Sequence, residues 1–565
     1  MTDRQGRGRP PLSFLRWQVV GAGVGMLLVA GFILQSASAY ETVLIAAGGG
    51  RYSEAVVGGP RYINPLLSQY NRVDADIASL VFSGLTRLDG CGNVHPDLAA
   101  SWTVSEDGRQ YTFQLREDAS WHDGVPVVAR DVVLTIQLVQ DPDYPGPPSI
   151  SRLWRDVEVE ELSEREVRFE LPESYAPFLA HTNLGLLPSH LLAGIAASEL
   201  TKLPFNRLPV GTGPFQVVES DTQHVLLSVN QEYYGREDPY LEEVEFRFYR
   251  DLGEALRAYE RGEVLAISDV SPEYLPEIAS RAALNVYSAP LARMAIVLLN
   301  LKSPDALFLG DRTVRQALMY GLDRQGLVAR ALEGQGLVAH APYSVCSWAL
   351  DPAGSTYSFD PQLARELLEE TGWQDSDGDG IRDKDGDRLA FRVLVPDERG
   401  AKAVAQEVAR QWRSIGVEAE VLPMSFAEMV GQHLQGRSYD AALVELSLEG
   451  DPDPYVLWHS SQIDGGGQNY SAFVSREADG LLERARRVWD LEERRELYRQ
   501  FQTVFTRELP ALPLYYPVYT FAVSEAVHGV QLGPLMAPSD RFEQLPEWYV
   551  NYRRLRVKEG AIEAE

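Results

Sequence analysis

The stretch LAFRVLVPDERGAKAVAQEVARQWRSIGVEAEVLP, Leu389 to Pro423, carries two periodicities in one short run. Leu389 to Pro396 alternates as a strand does. From Ala401 the apolar residues Val404, Val408, Trp412 and Ile415 recur at helical spacing, and Gly416 ends the run. Val417 to Pro423 reads as a second strand. Strand, helix and strand of these lengths form a right-handed crossover between parallel strands. The chain is therefore read as α/β. Just upstream, DPQLARELLEETGW reads as a helix, with Asp360 as cap, Pro361 in the first turn and Gly372 beyond the end.

Working outward, RQYTFQLREDASWHDG reads as an antiparallel strand running into a turn, and ARDVVLTIQLVQDP as a helix from about Ala129. LERARRVWDLEERRELYRQFQTVFTREL reads as two helices, and PLYYPVYTFAVSEAVHGV as strand or extended chain. No short-period repeat and no long low-complexity linker interrupts the pattern.

The chain has 565 residues, too many for one hydrophobic core, so two to four domains are expected. Its formal net charge is −29, with no basic run to offset it, which disfavours nucleic-acid binding. Cys91 and Cys346 have no metal-type spacing. One bridge is the most they can make, and two unpaired thiols is the preferred expectation. At the N-terminus, Arg4, Arg7, Arg9 and Arg16 precede an uncharged run from Trp17 to Tyr40. As a helix that run spans about 36 Å, enough to cross a bilayer. Ala37-Ser38-Ala39 fits the small-residue rule for signal cleavage. The segment is either a cleaved signal or an anchor, and both place the rest of the chain outside the cytoplasm.

Candidate chemistry concentrates in EGDPDPYVLWHSS, Glu449 to Ser461. Three readings are open. Ser460, His459 and a carboxylate suggest a hydrolase, but no G-x-S-x-G, H-E-x-x-H or phosphate loop occurs. Asp451 and Asp453 as caps, with Tyr455 and Trp458 in the core, is the structural reading. A ligand-facing loop is the third, in which Glu449, Asp451, Asp453, Tyr455, Trp458 and the separate Trp348 line a pocket. A second acidic run, DSDGDGIRDKDGD, places Asp375, Asp377, Asp379 and Asp383 as in the first part of a calcium loop. The closing glutamate is replaced by Gly386, and a strand follows at Leu389. No cofactor is expected beyond a structural calcium there, and a glycine-rich acidic turn is the plainer reading. Asn300 sits in the apolar run VLLNL and needs a partner, either ligand or backbone, with backbone favoured. Arg315 is expected to pair with an acid, and His122 to be a turn or packing residue. Arg61 and Tyr62, in GGPRYINPLL, are candidates to reach a cleft.

Several segments in order carry a resemblance. These are SGLTRLDGCGNVHPDLAASWTVSEDGRQYTFQLREDASWHDGVPVVARDV, PVGTGPFQV, LLNLKSPDALFLGDRTVRQALMYGLDRQGLV, DPDPYVLWHSSQ with NYSAF, and PLYYPVYTFAVSEAVHGV. Together they resemble the extracellular solute-binding proteins for peptides, dipeptides and nickel (family 5), the binding components of ABC importers. The resemblance runs from about Arg51 to Val530. It implies a two-lobed periplasmic-binding-protein fold (type II, Venus-flytrap) with an extra domain inserted in the first lobe. Residues 41–84, 207–288 and 518–556 would make lobe I, 85–206 the inserted domain and 289–517 lobe II. Residues 1–40 would be a basic stub with the signal or anchor, and 557–565 a tail. Hinges are expected near Ser288-Ala289-Pro290 and Tyr516-Pro517. The resemblance implies a monomer that captures a peptide or similar polar solute and delivers it to permease subunits with a separate ATPase, breaking no bond. It also favours the ligand-facing reading of Glu449 to Ser461. Peptide-binding members place an aspartate four residues before the proline of this motif, to pair with the peptide amine. Here that position is Leu448. Either Glu449 or Asp451 substitutes, or the ligand has no free amine there, and oligosaccharides become candidates. The scattered histidines make a nickel site a poor reading.

Overall fold

In the computed structural model, strand Ala390–Pro396 pairs in parallel with Glu418–Met424, and helix Arg399–Arg413 makes the crossover between them. The helix buries Val404, Ala405, Val408 and Trp412, the face that its periodicity marks. The Trp412 indole N–H donates to the Leu318 carbonyl at 2.9 Å. Arg410 and Arg413 occupy the last turn, where the helix dipole favours positive charge. Upstream, the Asp360 carboxylate caps helix Pro361–Glu370 by accepting the Leu363 N–H at 2.9 Å. The structure describes residues 20, 23–27, 29, 40–235, 239–464 and 466–558. Most of the expected signal or anchor and most of the expected tail lie outside them. Among the described residues no helix is long and apolar enough to cross a membrane.

From this crossover the sheet continues through Ala441–Ser447 and Arg293–Leu299 to one long strand, Ala511–Ser524. Arg293–Leu299 is an apolar run because both of its faces are covered. Ala295, Val297 and Leu299 enter a core with Leu318 and Trp412. Met294, Ile296 and Leu298 enter another with Tyr343, Trp458 and Phe505. These two cores flank the sheet of the second body.

The long strand changes partners partway along. Residues from Ala511 to Pro517 pair with Arg293–Leu299 and Gly336–Val338. Residues from Val518 to Ser524 pair with Leu284–Pro290. The changeover falls at Pro517, which has no N–H to leave unpaired, while its carbonyl accepts the Leu291 N–H at 2.9 Å. Beyond it the sheet runs through Ala266–Ile267, Arg51–Val57, Glu243–Tyr249, His224–Val229 and Phe215–Ser220, the sheet of the first body. The chain thus passes between the bodies on two neighbouring strands, near residues 290–293 and at Pro517–Val518.

A separate antiparallel sheet, in the order Ala99–Val104, Gln110–Leu115, Glu166–Glu170, Glu158–Ser163, packs with helix Ala129–Gln140. Its aromatic residues join the first body's core: Phe113, Phe169, Trp154 and Phe178 form one continuous cluster with Tyr52, Phe246 and Trp548. Deep in this body, Arg541 is fully buried and bonds to Glu54 (2.6 Å) and Asp76 (2.8 Å). Such a network is fixed in place, because removing one partner leaves an unpaired buried charge at a cost of about 3–5 kcal/mol.

Two expectations are corrected here. Cys91 and Cys346 are not free thiols. They form a disulfide with Cα atoms 5.1 Å apart across 255 residues of chain, and spacing in sequence carries no trace of that proximity. Arg315 does not pair with an acid side chain. Its guanidinium donates to the carbonyls of Leu309, Gly310, Glu508 and Leu509 at 2.6–3.0 Å, tying the start of its own helix to the end of helix Leu491–Glu508.

Candidate ligand cleft

Strand Ala441–Ser447 ends against the crossing between the bodies, where Leu448 N–H donates to the Ala292 carbonyl at 2.7 Å. The chain then turns at Gly450, whose φ of +86° suits glycine, and enters the short helix Tyr455–Trp458 through Pro452 and Pro454. A hairpin of the first body, Asp89 to Asn93, abuts this turn. A Cβ on Gly92 would stand 2.9 Å from the Gly450 carbonyl oxygen, so the close approach itself selects glycine.

Between the bodies lies a cavity of about 860 Å³. One wall comes from the first body, with Trp154, Tyr175 and Phe178, and the other from the second, with Tyr343, Leu448 and Leu457. The volume lies toward the upper end of what small-molecule sites enclose, about 300–1,000 Å³. Glu449, Asp451 and Asp453 all line it, as the ligand-facing reading requires.

None of the three is without a cationic partner. Asp451 receives both Nη groups of Arg494 at 2.6 and 2.9 Å. Arg494 also donates to the Ala485 carbonyl and to the Tyr498 hydroxyl, and its guanidinium lies 5.0 Å from the Trp348 ring. Burial pulls the Arg494 pKa down, but the Asp451 charge outweighs it and holds the group well above its ordinary value. Asp453 accepts the Arg486 Nε–H at 2.6 Å and caps the Tyr455 N–H at 3.1 Å. Arg486 is likewise raised, with Asp453 overcoming burial. Its guanidinium lies 3.9 Å from the Tyr455 ring of its own body and 5.3 Å from the Tyr175 ring of the other. Glu449 meets Arg293 at 3.4 Å, and both are partly exposed. At the rim, Glu173 and Arg152 are exposed, while burial lowers the pKa of His181 and keeps it neutral near pH 7.

The other candidates sit elsewhere, Tyr455 among them: its ring is taken up by the Arg486 guanidinium at 3.9 Å and the His459 ring at 4.1 Å and does not line the cavity. Trp458 is 1% exposed and packs 5.0 Å from Phe505, so it is a core residue and not a cavity residue. Trp348 packs against Arg494 and Tyr498 behind the wall. The Asn300 amide donates to the carbonyls of Arg437 and Tyr439 at 3.0 and 2.8 Å, which makes it a backbone brace. The backbone N–H groups of Arg61 and Tyr62 are held by the Asp74 carboxylate, and neither side chain lines the cavity. The serine–histidine reading fails on geometry. The Ser460 hydroxyl donates to Asp479 at 2.6 Å, and His459 Nδ1 accepts the Ser461 backbone N–H as a turn cap. Asp375, Asp377 and Asp379 bring carboxylate oxygens within 4.8 Å of one another, all exposed. Asp383 is not in that group, because its carboxylate accepts from the Ser376 hydroxyl and N–H. The His122 ring lies between Gly211 and Gly213 at 3.1 and 3.0 Å, as a packing residue.

The sequence reading missed Arg486, which lines the cavity with Trp154, Tyr175, Phe178 and Tyr343, and Arg494, which holds Asp451 from behind the wall. A signal was there for Arg494. It stands in the apolar stripe of helix Leu491–Glu508, on one face with Leu497, Tyr498, Phe501 and Phe505, where a charge needs a buried partner.

Two bodies joined by neighbouring strands, with an aromatic-walled cavity between them, define a clamp-type solute-binding protein. The model of the bacterial extracellular solute-binding proteins, family 5 (middle), matches residues 93–468, and the chain belongs to this family. The oligopeptide-binding protein AppA of Bacillus subtilis (strain 168) is 30% identical over 495 residues, covering 86% of this chain and 90% of AppA. A dipeptide-binding protein of Pseudomonas aeruginosa is 28% identical over 507 residues, covering 84% and 91%. Among solved structures, B. subtilis AppA in complex with a nonapeptide aligns with a TM-score of 0.67 at 28% identity, over 90% of this chain and all of AppA. The substrate-binding protein CtaP of Listeria monocytogenes aligns with a TM-score of 0.75 at 25% identity, over 89% of this chain and all of CtaP.

Proposed function

We propose that this protein is the extracytoplasmic capture component of an ABC importer, taking a peptide between its two bodies and delivering it intact to membrane permease subunits served by a separate ATPase. The observation that carries this reading is the cavity with one wall on each body. Cargo touching both walls gains contacts that exist only when the bodies meet, so binding favours the closed arrangement. The Tyr175–Arg486–Tyr455 stack is one such contact within the protein itself. The names of the peptide-binding relatives support a peptide over a sugar. In this reading the protein works as a monomer, and residues 17–40 export it or hold it at the membrane.

The test is native mass spectrometry of the protein as purified from its own host, followed by melting curves with peptide and oligosaccharide panels. Peptide at a hundred times its Kd stabilises the fold by about 2.7 kcal/mol, a plain rise in melting temperature. A rise with oligosaccharides alone contradicts the peptide reading, and a cleaved peptide contradicts the binding reading.

A further inference from the structure

The charges inside the cleft are already spoken for. Asp451 is held by both Nη groups of Arg494, and Asp453 by Arg486. Both carboxylates belong to side chains that are no more than 10% exposed, so neither turns outward without vacating a buried pair. Glu449 faces Arg293. Apolar side chains, among them Trp154, Phe178 and Leu457, make up much of the remaining wall, with neutral polar side chains such as Asn183, Gln462 and Gln468 between them. An ammonium binding at Asp451 or Asp453 would compete with a guanidinium already bound there, and a displaced Arg494 or Arg486 would be left largely buried without its counter-ion. Resting on the function proposed above, we infer that the cargo is a peptide recognised by its apolar and aromatic side chains and by its backbone, with its terminal amine and carboxylate unread as charges. Its ends lie toward the rim, where Glu173 and Arg152 are exposed to water.

The experiment titrates the purified chain with tetra- to hexapeptides rich in Phe, Tyr and Leu. Each is made with free ends, with an acetylated N-terminus, and with both ends blocked. The inference expects the blocked forms to bind within threefold of the free form, and replacing the aromatic residues by serine to weaken binding at least tenfold. A loss of more than tenfold on acetylation alone overturns it and leaves the peptide-carrier reading standing. Binding of no peptide in any form overturns both.

The disulfide carries a second inference on its own. Cys91 lies in the hairpin of Thr86–Leu88 and Val94–Pro96 in the first body, and Cys346 in a loop beside Tyr343 and Trp348 in the second. The bodies are otherwise joined by two neighbouring strands, a flexible connection about which they can swing. Cys91 is flanked by Gly90 and Gly92, which pack against the carbonyl oxygens of Pro534 and Gly450. Leu535 in turn pairs with the crossing at Pro290 and Ala292. The structure assigns this disulfide the role of a third covalent tether between the bodies, one that limits how far the clamp opens. A dithiol reductant releases it. Two electrons and two protons pass to the sulfurs, giving Cys91 and Cys346 thiols, and the dithiol becomes a cyclic disulfide.

The comparison is between the native protein, the same protein treated with dithiothreitol, and the Cys91→Ser/Cys346→Ser variant. The readouts are the dissociation rate of a bound peptide and the radius of gyration of the empty protein. Release at least fivefold faster, with a larger empty radius, is the expected result in both opened forms. A release rate unchanged on reduction overturns the tether, whatever the double variant does.

Discussion

Two loops of this molecule carry carboxylates at the same spacing. Glu449, Asp451 and Asp453 alternate along one, and Asp375, Asp377 and Asp379 along the other. In the first loop the two aspartates are enclosed and each has an arginine from a distant helix, Arg494 or Arg486. In the second the carboxylates are exposed and turn mostly to nearby backbone. Asp375 accepts from Gly378 and Gly380, Asp377 from Asp379, and Asp379 from Ile381 and the Arg388 side chain. Identical spacing thus gives opposite physics. A carboxylate left in water needs no partner, whereas one placed at the meeting of two bodies needs a guanidinium fixed in advance. The first loop can therefore shape a cavity, while the second shapes only its own turn.

Substitutions separate the two loops. The largest effect is expected for Arg494→Ala, which leaves Asp451 buried without its partner. It should cost about 3–5 kcal/mol in urea unfolding, and a loss below about 1 kcal/mol would place Asp451 in water after all. Next is Asp540, which burial pushes up to about 7, with Glu543 and Glu449 adding repulsion. Its folded pKa lies above its unfolded one, so the fold favours the protonated form. Stability from this group is full below about pH 4 and is lost as pH rises through about 7. Asp540→Asn should flatten the stability profile across that window by about 4 kcal/mol, at about 1.4 kcal/mol per pKa unit. An unchanged slope would show that burial does not hold this acid in its protonated form. Smaller is Tyr175→Leu, which removes the ring that Arg486 meets across the cleft. Peptide binding should weaken by about 0.5–2 kcal/mol in calorimetry while the empty protein melts as before. Smallest is Asp377→Asn in the exposed loop, expected within about 0.5 kcal/mol of the parent.

The sequence displayed the parts of this molecule that depend on neighbours along the chain. The Leu389–Pro423 crossover, the Asp360 cap and the ordered segments of the family pattern are all short-range signals, and each corresponds to structure. The loop at Glu449 was legible as a ligand-facing candidate for the same reason. What stayed hidden were contacts between distant positions. Asp451 and Arg494 are 43 residues apart, and Cys91 and Cys346 are 255 apart, so no local pattern ties either pair. Trp458 and Asn300 show the same limit, although the backbone partner favoured for Asn300 is the one it has. An aromatic beside acids and a polar residue in an apolar run look like cleft residues until the core around one and the carbonyls around the other are in view.

The central claim is that cargo sits between two walls from two bodies. Hydrogen–deuterium exchange with and without saturating peptide tests it most directly, because backbone amides on each wall report separately. Protection arising together in residues 149–184 and 447–468 is the predicted result. Protection confined to one of these segments, with the other exchanging as in the empty protein, would contradict it.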